Sequence, residues 1–109
     1  MRLRNITGSR EMIAENEFVI HQPEQNKGKW NTVFKNTNPI HIEIGMGKGK
    51  FLHTLAQNNP GVNYLGIEKY SSVLLRAIQK MEEAPLLNLR FIIMDAETIT
   101  EVFCKEEVE

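Results

Sequence analysis

The sequence predicts an α/β domain with a parallel sheet, in which strands and helices alternate in the order βαβαβα. Three short segments, "PIHIEI", "VNYLGIE" and "LRFIIMDA", are rich in β-branched or apolar residues, as strands are. A stretch with apolar residues at helical spacing follows each of the first two, and a shorter stretch follows the third. Such an order forms a parallel sheet with right-handed crossovers, and ligands bind beyond the carboxyl ends of its strands.

Composition limits the size and class of the protein. A chain of 109 residues corresponds to one small domain, and its charged fraction of 25% and apolar fraction of 41% are ordinary for a soluble globular protein. No apolar run approaches the roughly 18 residues that a membrane span needs. The start, "MRLRNITGSR", lacks the apolar segment of a secretory signal, and a single cysteine excludes an internal disulfide framework. We therefore expect a cytoplasmic protein without membrane contact.

The first part of the chain has a different character from the rest. Residues 1–38 are predicted to be an N-terminal extension with a short helix, and residues 39–109 carry the regular alternation. Trp30 and Phe34 share one face of that short helix, where they are expected to cover the core, with base stacking as the alternative. Three arginines near the start are possible contacts for a polyanion, although a solvated terminus is the simpler interpretation: Arg2, Arg4 and Arg10.

The first strand and helix enclose a glycine-rich turn. Ile40, Ile42 and Ile44 alternate with His41 and Glu43, which predicts a strand that ends at the turn "GMGKG". The helix "KFLHTLAQNN" follows and ends before the Pro-Gly pair at 60–61. Its expected buried face comprises Phe51, Leu52, Leu55 and Ala56.

The second and third units repeat this order. Ser71 or Ser72 is expected to cap the helix "SSVLLRAIQKMEEA", which Pro85 ends. Its expected apolar side comprises Val73, Leu74, Ala77, Ile78 and Met81. The third strand is apolar enough to be buried on both faces, and "TITEVFCKEE" predicts one more short helix, begun by Thr98.

The glycine turn lies where this architecture holds a nucleotide. Gly45, Gly47 and Gly49 follow the first strand with the spacing G-x-G-x-G. The dinucleotide fingerprint is G-x-G-x-x-G, and the pattern G-x-x-x-x-G-K-[ST] of a phosphate loop also does not match. Glycines bring the backbone close to a ligand, but a tight turn without a ligand has the same sequence.

Acidic residues follow at the ends of the next two strands. Glu68 ends the second strand, where its carboxylate can accept hydrogen bonds from both hydroxyls of a ribose. Asp95 follows the third, where it can accept from an adenine amino group while the amide of Ala96 meets a ring nitrogen. Alternatively, Glu68 is a solvated loop acid and Asp95 caps the next helix. Together with the glycines, the two acids favour a nucleoside ligand.

In this order, "EIGMGKGKF", "NYLGIE" and "MDAE" resemble the cofactor site of the Rossmann-like class I S-adenosylmethionine-dependent methyltransferases. The stretches "GKWNTVF", "NPIHIEIG" and "NNPGVNYLGIE" are similar to the bacterial tRNA (guanine-N(7)-)-methyltransferase family in particular. This resemblance implies that Glu43 and the turn Gly45–Gly49 line the methionine end of S-adenosyl-L-methionine, that Glu68 holds the ribose and that Asp95 with Ala96 meets the adenine. It also implies a tRNA substrate, methylated at N7 of a guanine.

The chain departs from this family at its end. The family continues into a fourth strand and a motif of the form F-x-D-P-W-P-K, whose aspartate is assigned to catalysis and whose basic continuation binds tRNA. The 109 residues stop at "KEEVE", so we expect a cofactor-binding half that is truncated before the fourth strand. It is expected to lack a catalytic residue and to be inactive alone. An unprotected β-branched edge then predicts self-association.

Two other function classes stay open at this point. One is a non-catalytic module that binds a partner through the same half-sheet, and the other, which the glycine spacing disfavours, is half of a dinucleotide-binding oxidoreductase. His21, His41 and His53 lie on different predicted elements, so the sequence predicts no metal site.

Overall fold

A computed structural model describes residues 16–46 and 49–104, which form a three-stranded parallel sheet in the order β1-β2-β3. The strands are β1 (Ile40–Ile44), β2 (Asn63–Glu68) and β3 (Leu89–Ile93). All three lie within the segments that the sequence predicts as strands. β2 is the central strand and is buried along its whole length, because helices cover both faces of a parallel sheet. The predicted α/β class with a parallel sheet is therefore confirmed.

Helices connect the strands. α1 (Trp30–Phe34) precedes β1, α2 (Lys50–Asn58) joins β1 to β2, and α3 (Ser71–Glu83) joins β2 to β3. Two 3-10 helices lie at Pro23–Asn26 and Ala96–Glu101. No helix in the described part of the chain is long and apolar enough to cross a membrane.

Apolar side chains form a separate cluster on each face of the sheet. On one face, α2 and α3 pack against Tyr64 and Phe91 of the sheet. On the other face, α1 packs against Leu65 and Ile92. Trp30 on α1 is completely buried, and its indole Nε1 donates a hydrogen bond to the carbonyl of Val102 at 2.8 Å. The predicted core role of Trp30 is confirmed, and stacking on a base is excluded for a ring without exposed surface.

The two edges of the sheet differ. Beside β3, the amide of Ile20 donates to the carbonyl of Phe91 at 2.8 Å, and the amide of Phe91 donates to Phe18 at 2.9 Å. Val19 between them forms a parallel bridge to Phe91, so the segment 18–20 covers this edge. Among the described residues, β1 pairs only with β2, and no strand covers its other edge.

Three sequence predictions about the helices are wrong in detail. Phe51 on α2 is 69% exposed rather than part of the buried face, because Leu52, His53 and Ala56 form that face. Neither serine caps α3, since Tyr70 is the cap residue and the two serines are the first two residues of the helix, with Ser72 buried. The last helix begins at Ala96 instead of Thr98 and is a 3-10 helix, because the side chain of Asp95 accepts from the amide of Glu97.

Candidate functional site

A cavity of about 260 Å³ opens at the carboxyl ends of the three strands. It lies where ligands bind in open α/β sheets. The end of β1, the end of β2 and the loop after β3 all contribute to its walls. Four of the seven sequence-predicted site residues line it together: Gly45, Glu68, Asp95 and Ala96.

Glu68 is the acid at the end of the central strand. It is 7% exposed, and its Oε2 accepts hydrogen bonds from the amides of Lys69 at 3.1 Å and Tyr70 at 3.2 Å. These two amides belong to the turn that leads into α3, so the carboxylate is held by the backbone directly after it in sequence. A buried carboxylate needs such donors. Glu68 is thus a fixed group in the wall of the cavity, and a solvated loop acid is excluded.

Asp95 follows β3 and lines the same cavity as Glu68. Its Oδ1 accepts from the amide of Glu97 at 3.0 Å, so it caps the following 3-10 helix. The next residue, Ala96, also lines the cavity. The capping role that the sequence left open is therefore present, and it is compatible with a ligand contact because a carboxylate has about four acceptor sites.

The glycine turn is only partly described. Gly45 has a φ of +68° and Gly49 a φ of +75°, both in the left-handed region that favours glycine. The amide of Gly45 donates to the carbonyl of Ile67 at 2.8 Å, which ties the turn to β2. A Cβ on Gly49 would lie 2.6 Å from Cβ of Ala77, so this glycine allows the turn to approach α3. Gly47 lies outside the described residues.

Two predicted residues, Glu43 and Gly49, are described but do not line the cavity. Glu43 is half-buried on β1, next to Gly66 of β2, and is not among the described residues that line the cavity. Arg2, Arg4 and Arg10 lie outside the described part of the chain.

Sequence reasoning missed the apolar walls of the cavity. The cavity is also lined by Ile44, Ile67, Met94 and the aromatic Tyr70. Each is adjacent in sequence to a predicted site residue or two positions from one, and this proximity is the signal that was available. The side-chain directions that bring them to the cavity depend on the packing of α3 and the loop after β3, which periodicity does not encode.

Apolar walls and fixed carboxylates together define what the site can bind. Apolar and aromatic surfaces suit the faces of a flat ring, and carboxylates accept hydrogen bonds from hydroxyl or amino groups. Within residues 16–46 and 49–104, no group of three or more His, Cys, Asp or Glu side chains could hold a metal ion. The parallel sheet and its helices define a Rossmann-like α/β fold with a cavity at the carboxyl ends of the strands.

Comparisons with known proteins narrow this class. Residues 37–109 match the family described as "Putative methyltransferase", and the chain belongs to this methyltransferase family. It is 65% identical over 109 residues to a tRNA (guanine-N(7)-)-methyltransferase of Lachnoclostridium phytofermentans, covering all of this chain and 51% of the relative. Identity to the protein of that name from Bacillus subtilis is 46% over 110 residues, covering all of this chain and 52% of the relative. The chain thus spans about half the length of the curated relatives that it matches.

A solved structure agrees with this family. The protein described as "Structure of an antibiotic related Methyltransferase" superposes with a TM-score of 0.56 at 27% sequence identity. The match covers 64% of this chain and 37% of that one. The parallel sheet and its helices are therefore those of a methyltransferase fold, as the sequence predicted.

Proposed function

We propose that this chain forms the S-adenosyl-L-methionine-binding part of an enzyme that methylates N7 of a guanine in tRNA. The observation that carries the proposal is the cavity that unites the ends of all three strands, in a chain closely similar to proteins of that name. Modification of tRNA would take place in the cytoplasm.

The residues present fit the nucleoside part of this cofactor. Glu68 would accept from the ribose hydroxyls, alongside the two amides that hold its carboxylate. Asp95 and the amide of Ala96 would meet the adenine, whose faces suit the walls formed by Ile44 and Met94. The cavity volume of about 260 Å³ is just below the range of roughly 300–1,000 Å³ for small-molecule pockets, so it would hold the nucleoside rather than the whole cofactor.

The methionine part would lie over the glycine-rich turn. Gly45 begins this turn at the mouth of the cavity, and Gly47 and Gly49 would let the backbone approach the ligand. Glu43 would add negative charge near the ammonium group of the cofactor. These contacts remain proposals.

These residues would act by binding and orientation. S-adenosylmethionine, when bound, supplies a methyl group on a positively charged sulfur. The lone pair of a neutral guanine N7 can accept this methyl group. Positioning of the two partners is then the main requirement, and no proton has to be removed first. We assign no catalytic residue within this chain.

Calorimetry with two ligands tests the proposed cofactor. S-adenosylhomocysteine, which keeps the ribose and adenine, should bind the purified chain measurably, and NAD should not. Binding of NAD alone would contradict the proposal and support an oxidoreductase half-domain. Binding of neither would favour a module that recognises a partner instead.

A transfer assay tests how far the activity depends on the part of the relatives that this chain does not match. The 109 residues should transfer no labelled methyl group from S-adenosylmethionine to unmodified tRNA. Robust turnover by this chain alone would show that its own residues complete a catalytic site.

The uncovered edge of β1 leads to a prediction about association. Ile44, which is 53% exposed, lies at the end of this edge, and unprotected β-branched edges pair with other chains. We expect the chain to self-associate in light scattering, and Ile44→Lys to reduce this because a lysine protects an edge strand. Leu87→Lys is the matched control, since Leu87 is 88% exposed but lies just before β3. Equal effects of both lysines would point to general apolar contact instead of edge pairing.

A further inference from the structure

Main-chain hydrogen bonds and the side chain of Met46 both hold the described part of the glycine-rich turn. The carbonyl of Ile67 accepts from the amides of Gly45 at 2.8 Å and Met46 at 3.4 Å. The carbonyl of Met46 accepts from the amide of Gly49 at 3.2 Å. Met46 is therefore hydrogen-bonded to β2 and to Gly49, and its side chain packs against the apolar cluster under α2 and α3.

Gly66 provides the space for that side chain. It lies in the middle of β2, where a glycine weakens the strand and marks the close approach of another group. A Cβ at Gly66 would overlap Sδ of Met46 and would lie 2.7 Å from Cδ2 of Leu52. The missing side chain thus forms a notch in the sheet, and the thioether of Met46 fills it.

The same methionine also contacts the far end of the turn. A Cβ on Gly49 would lie 3.2 Å from Cε of Met46 and 2.6 Å from Cβ of Ala77 on α3. Met46 is thus packed between the notch at Gly66 and the start of α2. We expect a shift of its side chain to disturb the described residues of the turn, because close-packed neighbours resist such shifts.

We propose that Met46 is a positioning residue whose thioether, seated in the notch at Gly66, holds Gly45 and Gly49 of the glycine-rich turn in the positions that ligand binding requires. The inference rests on the proposed function, because the ligand in question is S-adenosylmethionine. An ordinary core contact would affect stability alone, whereas a positioning contact also sets the affinity of the folded protein.

Substitutions at Gly66 and Met46 test the positioning role of Met46. Gly66→Ala should expel Met46 from the notch and weaken S-adenosylhomocysteine binding by about tenfold or more, since overpacking shifts backbone as well as side chains. Met46→Ala, which removes the thioether, should weaken binding to a similar extent, and combining it with Gly66→Ala should add little further loss, because both substitutions break the same contact. Gly66→Ala with Leu52→Val is the matched control, because it relieves the overlap with Leu52 and leaves the overlap with Met46.

NMR signals of the turn give a readout that needs no ligand. In Gly66→Ala and in Met46→Ala, the amide signals of Gly45 and Gly49 should shift, and the double variant should shift them little further. Gly28 and Gly61 serve as internal references in other loops. Unchanged turn signals and affinity in Gly66→Ala, with only a lower melting temperature, would overturn the proposal, and so would rescue by Leu52→Val. A parent chain that fails to bind S-adenosylhomocysteine would contradict the proposed function, while the turn signals would still decide whether Met46 positions the turn.

Discussion

The two ends of the parallel sheet use polar side chains differently. At the amino ends of the strands, Asn63 donates to Oδ1 of Asn36 at 2.7 Å, across 27 residues of sequence. Asn88, just before β3, donates to three carbonyls, at 2.9 Å to Ala56, 3.1 Å to Asn59 and 2.9 Å to Val62. At the carboxyl ends, the acids Glu68 and Asp95 accept from amides only one or two residues away.

The difference separates stability from binding. The asparagines join segments that are distant in sequence, so their loss should loosen the connection between elements. The acids are oriented by their own neighbours and line the cavity, so their loss should change what the cavity binds. If this contrast is correct, substitutions of the asparagines at the amino ends of the strands alter the free energy of unfolding. Substitutions of the acids at the carboxyl ends alter ligand affinity.

The largest effect is expected at Asn88. Its two N–H groups are shared among three carbonyl oxygens, so Asn88→Asp would place a carboxylate of the same shape against three acceptors. We expect a loss of about 3 kcal/mol in the free energy of unfolding, against about 1–2 kcal/mol for Asn88→Ala, which only removes the donors. Urea denaturation followed by circular dichroism measures both. Equal stability of Asn88→Asp and the parent would contradict the stabilising role of the asparagines at the amino ends of the strands.

At the opposite end, Glu68→Ala should weaken S-adenosylhomocysteine binding by at least about tenfold, because hydrogen bonds to a charged group contribute about 1.5–3 kcal/mol each. The free energy of unfolding should change by less than about 1 kcal/mol, since the cost of burying the carboxylate offsets the two hydrogen bonds that it accepts from backbone amides. Calorimetry and urea denaturation of the same preparation separate the two quantities. Glu24→Ala, on the exposed 3-10 helix at Pro23–Asn26, controls for the lost charge. An unchanged dissociation constant for Glu68→Ala would remove the ribose assignment.

The smallest effect is expected at Asp95, where the capping and ligand roles coincide. Asp95→Ser keeps a good cap for the 3-10 helix and should leave stability unchanged. It should weaken S-adenosylhomocysteine binding by roughly threefold to tenfold, because the shorter neutral hydroxyl loses a charged acceptor. Asp95→Ala should lose affinity to the same extent and also about 1 kcal/mol of stability. If the affinity of Asp95→Ser equals that of the parent, Asp95 is a cap without a ligand role.

Much of the fold follows from local pattern. The alternation of Ile40, Ile42 and Ile44 indicates β1, and the apolar run before Asp95 indicates β3, because side chains alternate across a strand. The segment 18–20, by contrast, lies in a stretch whose sequence predicts an irregular extension, and only its pairing with Phe91 gives it a role at the sheet edge. Three residues carry too little periodicity to predict such a bridge.

The candidate site follows the same division. The sequence by itself determined which residues stand at the strand ends, because the order of strands and helices dictates a parallel sheet whose carboxyl ends meet at one edge. Only the tertiary structure decided that Gly45, Glu68 and Asp95 share one cavity, that Phe51 is exposed, and that Gly66 receives Met46. The reason is physical: repeating dihedral angles give a residue its face within an element, whereas the neighbour of that face depends on how helices and turns close-pack against the sheet.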